Sequence, residues 1–410
     1  MKNRIELIIL FLAIIASGGH IFINRIFLFA LIYFLFFIYV FISGTNKVHL
    51  LVRLFKISML VLICGIIHTL MIYKNQNDMT AFGIRYLNFI AALMVILIYD
   101  FKSDTFRQNL YRITKLFVYL SFITIVLYII APGYFIPYVT PTGESYLTFW
   151  GVFWTTTASP ELGYIFPRNT GFFWEPGVLQ IYLNIFLFIT LHYAGYRTNK
   201  MVTFFAIIAI ISTQSTTGLI IMLIILSTYV LNRLLFIKTS FTKRIITIIP
   251  IAIFVIIFIF SLPSIMDKFN GQSRGSFWAR QYDSYTGLEV AIAHPIIGIG
   301  FSDENYKVFQ RNFGYKESQM TLDFTFDRGC TNSLVTLFYS VGFILSLCII
   351  FWFLKQTFIN IQKNTFTIII FLAIMAEPLL FTPFFLVFII SGALWVGRHY
   401  GVQLKTITSK

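Results

Sequence analysis

The feature that most constrains this chain is a succession of twelve apolar stretches. Most are close to the ~17–25 residues a helix needs to cross ~30 Å of hydrocarbon. They fall at 5–22, 26–43, 57–73, 81–99, 116–131, 177–194, 201–213, 217–236, 245–262, 331–354, 365–380 and 383–397. The runs 201–236 and 365–397 are each broken once by polar residues or proline, so each reads as a short helix pair or as one broken helix. A soluble domain would need many charged residues to clothe such runs. Only 11% of the residues are charged and 58% are hydrophobic, whereas soluble domains carry about 25% charge. An ordinary soluble enzyme and a disordered chain are both excluded. The expected fold is an all-α polytopic membrane protein of about 12 transmembrane helices, forming a single integral membrane domain over residues 1–410.

The net charge is +15, and its placement decides what it means. With the N-terminus inside, the cytoplasmic segments hold 20 of the 31 basic residues and only Glu6, Asp100 and Asp104 as acids, a net of +17. The opposite side nets −2. This is the positive-inside asymmetry of a membrane protein. Clustered Lys/Arg blocks are absent, so no nucleic-acid partner is expected. Both termini are expected in the cytoplasm, with the lipid membrane itself as a partner. The first apolar stretch is followed closely by a second and reads as a retained helix, not a cleaved signal. Cys64 and Cys348 fall inside spans and Cys330 at a span's outer end, an odd and scattered set that predicts no disulfide framework. No repeat or pair of matching broken helices suggests a transporter.

Two connections are long, 132–176 and 263–330, and both fall outside. Long polar loops on a helical scaffold are the usual location of a site. A flippase would instead line its bundle interior with polar residues, and few are there. The exterior lacks ATP, so chemistry there needs a substrate that arrives already activated.

Four constellations stand out. Arg168-Asn169-Thr170-Gly171-Phe172-Phe173-Trp174-Glu175-Pro176-Gly177 opens the stretch 177–194. Capping alone accounts for Glu175 and Pro176, yet an Arg and a Glu across a glycine turn at the membrane surface would hold an anion and a hydroxyl together. Arg274-Gly-Ser-Phe-Trp278-Ala-Arg280 precedes His294-Pro-Ile-Ile-Gly298-Ile-Gly300, and 276–293 reads as an amphipathic helix with Trp and Arg anchors on the bilayer. The short GxG opens no βαβ unit and is no nucleotide fingerprint. Cys330-Thr331-Asn332-Ser333-Leu334 opens the stretch 331–354, with Thr331 or Asn332 as a helix cap. Arg85 lies five residues into 81–99, where a cation either faces an anion or snorkels to the surface. The polar run Ser212–Gly218 reads as a structural turn.

No metal site is expected. The histidines are scattered, the external loops contain no DxD, and Asp303-Glu304 reads as the acidic start of a helix. The external arginines Arg85, Arg168, Arg274, Arg280, Arg311 and Arg328 would take a metal's place. Guanidinium groups bind phosphate bidentately, and in a water-poor site they would stabilise charge developing on a diphosphate leaving group.

Taken in order, the Arg168…Gly171…Glu175-Pro176 element, the Ser-Thr-Thr-Gly turn, the Arg274…Trp278 and His294-Pro…Gly298-x-Gly300 run, and the Asn332…Gly342 helix start resemble the O-antigen polymerase and ligase superfamily of bacterial membrane glycosyltransferases. The resemblance covers roughly residues 80–390. It implies a C-type glycosyltransferase-like architecture in the inner membrane, with a periplasmic site, no cofactor and no metal. It also implies inverting transfer of an undecaprenyl-diphosphate-linked oligosaccharide. Arg168 and Arg274 would bind the diphosphate and Glu175 would be an active-site carboxylate. Arg280, Arg85, His294 and Asn332 are further substrate-binding candidates, and a chain-length regulator protein is a candidate partner. One departure is informative. Ligases of the superfamily carry His-Asn where this chain has Thr331-Asn332, and that histidine is their proposed general base. The departure favours a polymerase over a ligase. It leaves Glu175 as first choice of base and Asp323 or Asp327 as second.

Overall fold

A computed structural model of the protein describes residues 2–20, 22–44, 48–72, 76–100, 102–140, 143, 145–157, 167–196, 200–235, 274–312 and 329–408. Thirteen α-helices occur among these residues. They are α1 (Lys2–Gly18), α2 (Arg25–Ile42), α3 (Val48–Ile72), α4 (Gln76–Tyr99), α5 (Ser103–Ile130), α6 (Pro176–His192) and α7 (Lys200–Ser212), followed by α8 (Thr216–Leu235), α9 (Arg274–Ala293), α10 (Asp303–Asn312), α11 (Ser333–Leu354), α12 (Lys363–Ala376) and α13 (Pro383–Thr408). Helices α2, α3, α4, α5 and α11 are long and apolar enough to cross a membrane, and the chain is a multi-pass membrane protein. On α2 and α3 the side chains of Phe27, Phe34, Phe41, Phe55 and Leu60 are exposed, as befits surfaces that face lipid.

A helix lies at each of the apolar stretches within the described residues; the stretch 245–262 lies outside them. The boundaries differ for a physical reason. Helices α3, α4 and α5 begin before their apolar stretches, α5 by more than three turns carrying Arg107, Arg112 and Lys115. Backbone hydrogen bonding does not stop at the edge of the hydrocarbon, whereas the hydropathy signal does. The run 365–397 is a helix pair: α12 ends at Ala376, and the segment Glu377-Pro378-Leu379-Leu380-Phe381-Thr382 separates it from α13. The run 201–236 is likewise a pair, α7 and α8.

The fold also adds one small element to the helical frame. Within 132–176 the chain forms a small antiparallel sheet, β1 (Ile136–Val139), β2 (Ser145–Phe149) and β3 (Phe153–Thr156), in the order β1-β2-β3. Ile136 pairs with Thr148 and Phe149 with Phe153. A four- or five-residue strand that pairs locally leaves no long hydrophobic signature, so a search for spanning runs passes over it.

The chain divides into two compact units. The first comprises 1–110, 280–360 and 374–410; the second comprises 111–279 and 361–373. In the first, α4 and α11 both pack on α13, and α1 packs on α2. Lipid tails are as apolar as leucine, so polar contacts between helices matter here. Tyr39 Oη donates to Glu6 Oε1 (3.2 Å), Tyr99 Oη to the Glu6 carbonyl (3.0 Å), and Asn109 Nδ2 to Tyr99 Oη (2.8 Å).

Helix α11 is kinked at Gly342, where φ is 77°. The kink is filled by the His294–Gly300 segment. Phe343 N donates to the Pro295 carbonyl (2.7 Å), Ile299 N to the Tyr339 carbonyl (2.8 Å) and Gly300 N to the Ser340 carbonyl (3.0 Å). A Cβ at Gly342 would collide with the Ile296 carbonyl, and one at Gly298 with the Tyr339 and Ser340 carbonyls. The two glycines thus permit two backbones to touch and to share hydrogen bonds that the broken helix leaves open.

In the second unit, α6 is buried on nearly all sides and packs on α7 and α8. Asn184 Nδ2 reaches the Gly218 carbonyl (3.1 Å) and Gln180 Oε1 (2.9 Å), tying α6 to the start of α8.

Candidate functional site

The sequence-predicted residues fall in two places, one in each unit. In the second unit the segment Arg168–Glu175 is laid against β3. Thr156 N donates to the Arg168 carbonyl (2.9 Å), Arg168 N to Thr156 Oγ1 (3.1 Å) and Thr170 N to the Trp154 carbonyl (3.3 Å). Asn169 is buried. Its Oδ1 accepts from Gly171 N (3.0 Å), a side-chain-closed turn. Its Nδ2 donates to the Ser121 carbonyl (2.9 Å) and Ser212 Oγ (3.3 Å). Gly171 takes φ 57° to complete the bend.

The Arg168 side chain leaves this turn half-buried, and its Nε donates to the Thr213 carbonyl (3.0 Å). The polar run Ser212–Gly218, read from sequence as a structural turn, is therefore the seat of this guanidinium. Holding the head group in place before a substrate arrives removes ordering entropy from the binding step.

Glu175 occupies the N-cap position of α6 with extended backbone (φ −138°, ψ 139°). Its carbonyl accepts from Val178 N (3.1 Å) and Leu179 N (3.3 Å), while its side chain makes no capping hydrogen bond. Pro176 at the first helical position removes one donor that a cap would have satisfied. The carboxylate is half-buried at the positive end of the helix and is not tied into the helix terminus. Tyr146 Oη donates to the Trp174 carbonyl (2.6 Å), so the sheet grips the chain immediately before Glu175.

The first unit gathers Arg85, Arg280 and Asn332 around the segment 377–382. The Arg85 guanidinium on α4 sits 5.7 Å from the centre of the Phe381 ring, a cation–π contact. Asp303, at the start of α10, lies within its electrostatic reach. Arg280 on α9 places Nη2 4.0 Å from Glu377 Oε1; its side chain is 35% exposed and that of Glu377 only 4%. Ser333 locks this arrangement to the start of α11: its Oγ donates to the Glu377 carbonyl (2.7 Å) and accepts from Leu380 N (3.3 Å).

Asn332 caps α11 as expected, accepting from Leu334 N (3.1 Å) and Val335 N (3.3 Å), and also donates to Ser284 Oγ on α9 (3.2 Å). Thr331 is not the cap. Its Oγ1 and N both donate to Asp283 Oδ2, at 2.7 and 3.1 Å, and Asp283 is fully buried. Cys330 is buried beside them, and burial together with the Asp283 charge pushes its thiol up to about 12. It is a neutral thiol at physiological pH, with no nucleophile's character. His294 lies edge-on to Phe309, with ring centres 4.6 Å apart.

Other candidates fall outside this description. Arg274 is the first residue of α9, but its side chain is outside the described residues, as are Asp323, Asp327, Arg328 and the side chain of Arg311. Among the described residues, no three His, Cys, Asp or Glu side chains gather where they could hold a metal ion.

Sequence reasoning missed Glu377, Ser333 and Asp283. Glu377 had a usable signal: a lone carboxylate in a long apolar run is expensive unless it is paired. Asp283 and Ser333 had none, because their roles come from contacts with Thr331 and with Glu377, 48 and 44 residues away in the chain.

A family model described as O-antigen ligase matches residues 201–350. The match takes in α7 to α10, most of α11, the Ser212–Gly218 turn, Arg280 and Asn332, and stops short of Arg85, Arg168, Glu175 and Glu377 on either side. No curated protein and no solved structure matches the chain.

Proposed function

We propose that this chain is a polymerase of the O-antigen polymerase and ligase superfamily, a reading that the family-model match over residues 201–350 supports. It takes the glycan carried on one undecaprenyl diphosphate and transfers it to the non-reducing-end hydroxyl of a second lipid-linked repeat unit. The site lies at the periplasmic face of the inner membrane, with both termini in the cytoplasm. The acceptor oxygen bonds to the anomeric carbon on the face opposite the diphosphate, whose C–O bond breaks, so the configuration inverts. The proton leaves the acceptor hydroxyl for a carboxylate, and the bonding electrons leave with undecaprenyl diphosphate. Arg168 and Arg274 stabilise the charge that develops there. Glu175 takes the proton.

The observation that carries the reading is Thr331. At the position where a ligase of this superfamily has histidine, this chain has a hydroxyl that donates to the buried Asp283 carboxylate. A threonine so engaged supplies no base. Glu175, whose carboxylate makes no cap, is available for that role. A deletion strain tests the reading. It should still cap lipid A-core with a single repeat unit while losing the ladder of longer chains. Loss of all attached units, with long polymer accumulating on lipid, would assign the ligase activity instead.

A further inference from the structure

The small sheet in the second unit has a tip that water alone does not explain. Between β2 and β3 the chain reverses through Phe149-Trp150-Gly151-Val152, with Val152 N donating to the Phe149 carbonyl (3.2 Å). Trp150 and Gly151 have φ of 55° and 67°. Such a hairpin turn takes Asn or Asp with Gly, because the first residue must enter the left-handed region. A bulky aromatic there is strained. Trp150 is also 85% exposed, whereas Trp154, four residues on, is fully buried and donates from Nε1 to the Gly151 carbonyl (3.0 Å). The buried indole holds the turn closed, and the strained one is held out.

The surroundings of Trp150 continue a lipid-facing surface. Ile123, Ile129 and Ile130 are exposed along α5, and Tyr134, Ile136, Val139 and Val152 extend that apolar surface over the sheet. Between Lys115 and Glu161 the only charged residue is Glu144. Strain and exposure at a tryptophan are both unfavourable in water. Among lipid headgroups the exposure becomes favourable, because the amphipathic indole prefers that zone.

We propose that the β1–β3 sheet is a membrane-interface anchor, with Trp150 seated among the lipid headgroups on the side of the 132–176 loop. The sheet is hydrogen-bonded to the Arg168 main chain and to the Trp174 carbonyl. Anchoring it therefore sets the depth at which Arg168 and Glu175 stand relative to the membrane plane. The inference stands on the sheet alone and does not depend on which reaction the protein performs.

The test uses full-length protein in phosphatidylcholine nanodiscs. The probe is the emission lost on Trp150→Phe, read as a difference from wild type. That difference should be blue-shifted. It should be quenched by lipid brominated near the glycerol end of the acyl chain, and little affected by iodide. Emission like that of indole in water, quenched by iodide and not by brominated lipid, would overturn the proposal. So would shielding from both quenchers, which would mean that a protein partner or a second copy covers the tip. A nitroxide on Val152→Cys, in a Cys64→Ser, Cys348→Ser background, gives an independent reading. Greater accessibility to oxygen than to a water-soluble nickel chelate supports the anchor; the reverse order contradicts it.

Discussion

Arg168 in the second unit and Arg280 in the first are both candidate anion binders, and they are held by different chemistry. Arg168 is oriented by a neutral carbonyl, that of Thr213. Arg280 faces a buried carboxylate, Glu377. The same contrast runs through the two Glu-Pro pairs. Glu175-Pro176 opens a helix, and its carboxylate does no capping. Glu377-Pro378 follows the end of a helix, and its carboxylate is sealed beneath an arginine whose own head reaches the surface. A carbonyl orients a guanidinium without itself supplying a counter-charge. A carboxylate orients it and neutralises part of that charge. Under the proposed function the Arg168–Glu175 segment is the reacting centre, and the Arg280–Glu377 pair mainly supports geometry.

The largest effect should come from Arg168. Replacement with Ala removes the charge. Replacement with Lys keeps the charge but loses both the planar fork and the Nε donor that meets Thr213. Both variants should lower polymer formation by about 10²-fold or more, measured with purified protein and a lipid-linked donor. Wild-type activity should survive EDTA. Normal ladders from Arg168→Ala would move the centre to the first unit.

Next comes Glu175. Glu175→Gln preserves shape and should be expressed at the wild-type level, while the rate falls by about 10²–10⁴ as expected for loss of a positioned base. A capping role would appear instead as reduced protein with near-normal turnover, because losing a cap typically costs only about 0.5–2 kcal/mol.

The smallest effect on turnover, and the one that most sharpens the contrast, belongs to Glu377. Glu377→Gln leaves Arg280 without its counter-charge. Breaking a fully buried pair costs about 3–5 kcal/mol. Arg280 is partly solvated, so a loss of about 1–3 kcal/mol is expected here, read as a lowered melting temperature in detergent with turnover reduced less than tenfold. The opposite pattern, normal melting with activity as low as that of Glu175→Gln, would exchange the roles of the two glutamates.

Much of the helical frame was legible. Apolar run length places a helix wherever a run falls within the described residues, and the breaks at Ser212–Gly218 and at Glu377–Thr382 were visible as polar or proline interruptions. A cap at Thr331 or Asn332 was legible too, because capping is a local matter; that it is Asn332 was decided by Thr331 turning to Asp283. The sheet at 136–156 was not, since its strands are too short to leave a pattern and their pairing depends on a turn that holds Trp150 in an unusual conformation. The His294-Pro…Gly298-x-Gly300 motif was legible as a motif, but its structural task was not. It docks onto the Gly342 kink some 40 residues away, and no local pattern announces that contact.

The sequence by itself determined that this is a multi-pass membrane protein, and it pointed to the arginines and the one glutamate most worth testing. Both conclusions rest on properties carried by single residues or single runs: transfer free energy into hydrocarbon, the permanent charge of guanidinium, and the rigidity of proline. Only the tertiary structure decided what each charged group faces. Thr213 is 45 residues from Arg168, Thr331 is 48 from Asp283, and Glu377 is 97 from Arg280. An ion pair or hydrogen bond acts over a few ångströms, so its existence depends on where the folded backbone places two distant residues.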